Sequence, residues 1–403
     1  MKLKTAVRKI IVNLRYRIKI AKLRKSVKTR KIRVLFYVTE NQKWCYQSLY
    51  DLLAKSEIFE PFVVASILNS VHAGNDSTRN NLEENYEFFK SRGMNVEYGY
   101  VNGAYINLKD FQPDIVFYEQ LWGLPHAHKA RRVAKFALTC YCPYGLSLFN
   151  HDEDYYLNFN YYLFKNFIDS EINIKRFEKN IKGASKNCIA TGYSKLDTYF
   201  DNQPTNLADY WRDPNKTKII YAPHHSFEEE GMRVATFKEN GKFILDLAKK
   251  HPETTWIFKP HPRFKYALLK NNIMTEEEID NYYHEWEEVG KIYTQGDYFD
   301  MFKTSDFMVT DCCSFLAEYL PTGKPLIRML NPKALELNEL GDKVVEGYYQ
   351  TKSNNELEEA INRLLLKDDS KVNIRKEAIK YILGETKSSV RIYDVLEKMV
   401  TGK

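Results

Sequence analysis

No apolar run in this 403-residue chain reaches the roughly 7–15 residues of a signal-peptide core, still less the length of a membrane span. The expectation is a chain that stays in the cytoplasm. GxGxxG and internal repeats are both missing, so no dinucleotide fingerprint can be read. The six cysteines, Cys45, Cys140, Cys142, Cys188, Cys312 and Cys313, form no CxxC pair and no evenly spaced framework. Neither disulfides nor a sulfur-ligated metal is expected from them. Acid is absent from residues 1–33, which carry 14 Lys and Arg, leaving 46 basic against 53 acidic residues in the remainder. That body is net acidic and shows no nucleic-acid-binding motif, so nucleic acid is not an expected partner.

The basic tail has its own pattern. Leu3, Val7, Ile10, Ile11, Leu14, Ile18 and Ala21 recur at helical spacing, with Lys4, Arg8, Arg15, Lys19 and Lys22 around much of the rest of the wheel. Residues 1–30 therefore read as an amphipathic cationic helix suited to an anionic membrane surface, peripheral on the inner face of the plasma membrane. A solvated tail or one docked on an acidic partner is the other reading.

Beyond the tail, 44% hydrophobic residues with 29 Tyr and 23 Phe supply enough apolar mass for two cores. RVLFYVT (33–39), PFVVASI (61–67), DIVFYE (114–119) and FALTCYC (136–142) are short apolar runs that end in polar residues, as buried parallel strands do. Residues 155–182 read as one long aromatic-rich helix. A linker poor in periodicity follows (201–217), and then KIIYAPH (218–224), TTWIFKPHP (254–262), DFMVTD (306–311) and PLIRML (325–330) start a second strand set. The fold class is α/β, with two Rossmann-like domains, 31–203 and 204–403, each a parallel sheet, behind the tail. The last helical stretches, 356–366 and 388–400, are expected to pack back across the boundary.

In open α/β sheets ligands gather at the carboxyl ends of strands. Pro223, His224 and His225 lie at one such end, Lys259, His261 and Arg263 at the next, and Thr310, Asp311 and Ser314 at a third. Ser314 opens a helix whose amides suit a phosphate, and Glu318, one turn on, could accept ribose hydroxyls. In KPHP two prolines fix His261 between two bases, as a phosphate ligand or general acid. His224 and His225 point to opposite sides of an extended chain, so one of them at most should face a ligand. In the first domain Glu40, Glu119 and Tyr144 lie at strand ends, and one of the two carboxylates could act as an acceptor base.

These motifs resemble the CDP-glycerol glycerophosphotransferase family of teichoic-acid and capsule polymerases. The resemblance runs from about Arg33 to Arg328 and rests on YAPHH (221–225), KPHP (259–262), SDFMVTDCCSFLAE (305–318), GKPLI (323–327) and TGYSKLD (191–197). It implies the GT-B fold, a CDP-linked donor bound as substrate by the C-terminal domain, and no certain cofactor. It also implies a polymer or lipid-linked acceptor bound by the N-terminal domain. His261, Thr310, Asp311 and Ser314 would contact phosphate, and an acceptor hydroxyl would attack phosphorus and release CMP. Two departures stand out. Tyr144 occupies the place of the family's histidine base, which moves that role to Glu119, Glu40 or Tyr144, and Cys312 and Cys313 replace the centre of TDYSS. The same residues leave open a GT-B glycosyltransferase or UDP-sugar 2-epimerase, and a membrane-surface binding module without turnover.

Overall fold

The computed structural model describes residues 3–69, 81–150, 161–180, 183, 185–201, 205–228, 231–294 and 297–403. The chain divides into two compact units, one made of residues 1–146, 152–198 and 384–403 and the other of 147–151 and 199–383.

The first unit is built on β1 (Ile32–Val38), β2 (Phe59–Ala65), β3 (Val96–Tyr98), a small hairpin of β4 (Tyr100–Val101) and β5 (Ala104–Tyr105), β6 (Ile115–Tyr118), β7 (Leu138–Tyr141), β8 (Lys165–Ile168) and β9 (Cys188–Ala190). Its main sheet has the order β3-β2-β1-β6-β7-β8-β9, with every described pair parallel. All four residues of β6 and of β7 are buried, because helices cover both faces of a parallel sheet. The second unit has β10 (Thr217–Ala222), β11 (Thr254–Phe258), β12 (Gly290–Ile292), β13 (Phe307–Thr310), β14 (Leu326–Met329) and β15 (Tyr349–Thr351). Their order, β12-β11-β10-β13-β14-β15, reverses direction at β10, so the loops after β10 and β13 spread apart there and leave room for a ligand.

Two sequence expectations change. Residues 155–160, 181 and 182 lie outside the described residues, but Lys165–Ile168 is a strand, and among the described residues only Glu171–Asn180 of the expected 155–182 helix is helical. A short apolar run buried on both faces has no period that separates strand from helix. The N-terminal helix Leu3–Ser26 forms, yet it seats a different stripe: Val12, Tyr16 and Leu23 are buried, whereas Ile10, Ile11, Leu14 and Ile18 are exposed. Tyr16 fixes the seating, since its hydroxyl bonds with Thr139 Oγ1 at 2.7 Å and donates to the Tyr162 carbonyl. The last helix, Ser388–Thr401, packs in this same unit against Gln47–Lys55 and the N-terminal helix. Asp197 holds its start, accepting the amides of Ser388 at 2.6 Å and Ser389 at 2.8 Å.

Asp114, buried just ahead of β6, ties the tail to the sheet by accepting Lys19 Nζ at 3.0 Å, Arg30 Nη1 at 2.6 Å and the Arg33 amide at 3.1 Å. Burial pushes its carboxyl up, but the bonds from Arg30 and Lys19 outweigh that and hold it below its ordinary value. A depressed carboxylate stabilises the fold above its unfolded pKa, near 3.9, and the contribution is lost as pH falls through the folded value. Arg30 is nearly half exposed, so solvent screens part of the interaction. Asp114→Asn is expected to cost about 2 kcal/mol in urea unfolding at pH 7, with the difference from the parent shrinking toward pH 3.

Candidate functional site

The site in the second unit begins where β10 ends. After Ala222 the chain leaves the sheet at Pro223, and the His224 amide donates to Asp311 Oδ1 at 2.6 Å. The other oxygen of Asp311 accepts the Thr236 amide at 2.7 Å and the Thr236 hydroxyl at 2.8 Å, just ahead of helix Phe237–Lys250. One buried carboxylate thus joins the end of β13, the end of β10 and the start of a helix. Burial raises its pKa to about 6, against these three donors.

The His loops follow from that joint. The Pro223 carbonyl accepts the His261 amide at 3.3 Å, setting the KPHP turn beside the β10 exit. Rings of His225 and His261 stack with centroids 3.8 Å apart, and His224 lies 4.4 Å from His225 and 5.3 Å from His261. Here the sequence expectation fails: both His224 and His225 join His261, because 223–227 has left the sheet and is no strand, with the Phe227 amide donating back to the His225 carbonyl at 3.0 Å. His261 Nδ1 accepts the Arg263 amide at 3.1 Å, and His224 Nδ1 accepts the Ser226 amide at 3.2 Å as well as its hydroxyl at 2.9 Å. An Nδ1 that accepts leaves the ring proton on Nε2. Burial, then the neighbouring rings and cations, holds both imidazoles well below their ordinary pKa, so they are neutral N–H donors at neutral pH.

The nitrogens of the three histidines come within 4.8 Å of one another, near enough to consider a metal ion. The geometry opposes it. A ligating histidine donates its second nitrogen outward, whereas in His224 and His261 Nδ1 accepts a backbone amide. Neutral donors suit phosphate oxygens better. A cavity of about 750 Å³ opens beside them, lined among others by Ser226, Thr236, Lys238, Asn240 and Asn331, a size that takes a nucleotide-linked molecule.

The remaining expected residues take different places. Thr310 Oγ1 donates to the Ala222 carbonyl at 2.6 Å and accepts the Cys312 amide at 2.9 Å, so it shapes the turn. Helix Cys313–Glu318 starts there, with Cys312 as its cap and Ser314 half-buried in its first turn. Glu318 is not an open ribose acceptor: it is buried and its carboxylate accepts the Tyr298 hydroxyl. Lys259 is buried too, its Nζ 5.0 Å from the Tyr298 ring centre and 5.4 Å from that of Tyr293. Arg263 is half-buried, near the Tyr266 ring. Sequence reasoning missed Ser226 and Thr236; only their position just after a strand end or just before a helix signalled them.

In the first unit, Glu119 follows β6 and is buried. Its Oε2 accepts the amides of Thr39 at 2.6 Å and Glu40 at 3.1 Å, while its Oε1 has no hydrogen-bond partner among the described residues. Burial raises its pKa to about 7, with Lys43 pulling down and Glu40 pushing up. Lys43 bonds with Glu40 and Gln120 and lies 5.3 Å from the Tyr144 ring centre and 5.5 Å from that of Trp122. Tyr144 thus stands in a cation–aromatic group, and Glu119 is the carboxylate with base-like chemistry.

Comparison with known proteins agrees with this reading in part. Residues 152–331 match the family described as CDP-Glycerol:Poly(glycerophosphate) glycerophosphotransferase, and the His loops and Asp311 lie inside that span. No curated protein matches the chain. Among solved structures, UDP-GlcNAc 2-epimerase from Neisseria meningitidis is 14% identical with TM-score 0.60, covering 91% of this chain and 100% of that one. A putative UDP-N-acetylglucosamine 2-epimerase from Listeria monocytogenes is 13% identical with TM-score 0.58, covering 93% and 98%. A variant of the wall teichoic acid polymerase TagF is 11% identical with TM-score 0.56, covering 100% and 99%. At these identities the likeness shows the fold, which is GT-B, with two parallel Rossmann-like sheets.

Asp311→Asn puts an amide NH₂ against at least one of the donors that the carboxylate now accepts. It is expected to cost about 2 kcal/mol in urea unfolding.

Proposed function

We propose that the chain transfers a polyol phosphate, such as glycerol phosphate, from a CDP-activated donor to a hydroxyl of a cell-surface polymer or lipid-linked acceptor, releasing CMP. The observation that carries this is the pair of neutral imidazole donors, His224 and His261, set inside the segment that matches the glycerophosphotransferase family. Phosphoryl transfer asks for donors aimed at oxygens whose charge grows as the bond to the leaving group breaks. The second unit holds the donor's diphosphate at the His224–His225–His261 group, with the Ser314 turn beside it and the nucleoside in the adjoining cavity. The first unit binds the acceptor. Its hydroxyl oxygen bonds to phosphorus, its proton passes to Glu119, and the bond from phosphorus to the CMP oxygen breaks. CMP leaves as the anion, its charge met by the Nε2–H of His261. Glu119 takes the base's part because its pKa lies near the working pH and its Oε1 has no partner among the described residues; that oxygen is sealed in this structure, so acceptor binding has to open a path to it.

Release of CMP from CDP-glycerol or CDP-ribitol, with UDP-sugars as controls, tests the donor. CMP from a CDP-polyol is expected; UDP release alone would move the reading to sugar chemistry. The rate should climb with pH up to about 7 and then level as Glu119 loses its proton. Glu119→Gln should lower the rate about 10²–10⁴-fold and abolish that rise.

The tail adds a place of work, an anionic lipid surface. The face that Leu3–Ser26 turns away from its unit carries Ile10, 68% exposed, and Leu14, 57% exposed, with Ile11 and Ile18. Exposed Arg15 and Lys22 flank it on one side and Arg17 and Arg24 on the other. An apolar stripe between two basic rows suits a helix lying in the headgroup layer. No described helix is long and apolar enough to cross a membrane. Sedimentation with vesicles of phosphatidylglycerol and phosphatidylcholine should pellet the protein, and Leu14→Asp with Ile18→Asp should weaken that about tenfold or more. Equal pelleting of parent and variant would defeat this part of the proposal.

A further inference from the structure

Arg328 lies one residue before the carboxyl end of β14, in register with Thr310 on one side and Gln350 on the other. It is 8% exposed, which is rare for an arginine without an acidic partner. Among the described residues no carboxylate comes within ion-pair distance of it, although Asp342 is near enough to be felt electrostatically. Its one hydrogen bond is weak and neutral: Nη1 donates to Gln350 Oε1 at 3.3 Å. The Phe149 ring, 6.0 Å from the guanidinium carbon, adds a distant π contact.

A guanidinium presents five N–H donors, and removing it from water without matching acceptors costs several kcal/mol. Here the fold accepts that cost for one long bond to an amide. The residue keeps a small exposed fraction, 8%, through which a ligand oxygen has access. Burial also pulls its pKa down, as expected of a cation that lacks a countercharge, and the nearby thiol of Cys313 does little to reverse this. That thiol places Arg328 beside the turn that leaves β13. The position is a strand end, where this sheet gathers its other ligand-facing groups, and the planar fork of arginine fits two oxygens of one phosphate.

We propose that Arg328 is an anion-binding residue of the second unit, pairing through its unspent donors with a phosphate group of the ligand. The counter-ion that the described residues do not provide is supplied by the ligand. This assigns a residue to phosphate recognition that the sequence motifs did not single out, and it requires neither CDP nor turnover. Inorganic pyrophosphate is therefore the probe, so failure here and failure of the transferase reading are separable.

Calorimetric titration of the full chain with pyrophosphate, for the parent, Arg328→Gln and Arg328→Lys, decides it. Arg328→Gln should weaken binding about tenfold or more, since a charge-assisted fork is lost, and Arg328→Lys should recover part of the affinity. The melting temperature without ligand should stay the same or rise in Arg328→Gln, because an unpaired buried charge is gone. A structural role alone predicts the opposite pattern, a lower melting temperature with unchanged affinity. That pattern, or no binding of pyrophosphate to the parent, overturns the proposal. Should Arg328→Gln fail to fold, tungstate soaked into crystals of the parent gives a second reading. Anomalous density within hydrogen-bond reach of Arg328 supports the assignment, and density at His261 alone refutes it.

Discussion

The carboxylate of Asp311 closes a joint between segments far apart in sequence. It takes the amides of His224 and Thr236 and the hydroxyl of Thr236 at 2.6–2.8 Å, with all three residues buried. Because His224 is held by its backbone at this joint, its ring is free to turn back on Ser226, and the neighbouring ring of His225 comes to rest on His261. Move the joint and the three imidazoles no longer share a space. The carboxylate is therefore a positioning device, and its burial, which raises its own pKa, is the cost of keeping that position.

The same burial acts with opposite sign on the histidines. Low polarity disfavours charge on either group, so carboxylates rise and imidazoles fall: near neutral pH the two histidines are uncharged, while Asp311, raised to about 6, stays mostly ionised among its three donors. A neutral imidazole with a backbone amide on Nδ1 is committed to donating from Nε2. This differs from an imidazolium, which would bind phosphate more tightly before the reaction but give less extra help as charge develops. Donors fixed in advance and not charged gain most where the leaving oxygen becomes an anion.

Much of this was legible from the residues. Strands in a parallel sheet are short apolar runs ending in polar groups, so His224, His261, Asp311 and Glu119 could each be placed at a strand end, and the structure puts them there. What those groups touch was not legible. Asp311 reads as a ligand group in sequence, and its partners are amides fixed only by tertiary packing. Glu318 reads as a ribose acceptor, and Tyr298, just ahead of helix Phe299–Thr304, donates its hydroxyl to that carboxylate. The alternation rule for His224 and His225 holds within a strand and fails past Ala222, where the chain has left the sheet. The tail helix carries two apolar stripes, and the denser one, which dominates the wheel, is the one left outside.

Two buried carboxylates at strand ends, in separate units, show how a similar placement yields different chemistry. Both accept two backbone amides, and both are raised by burial. Asp311 spends both oxygens, one on the His224 amide and the other on Thr236, so taking up a proton would break a bond that holds the fold. Glu119 spends only Oε2, and Oε1 is buried without a partner. A proton arriving at Oε1 disrupts nothing and relieves the cost of a buried charge, which is the physical content of a pKa near 7. Protonation is thus structurally costly at Asp311 and nearly free at Glu119. That difference, more than either residue's position in the sequence, separates a carboxylate suited to holding the fold from one suited to taking up a proton.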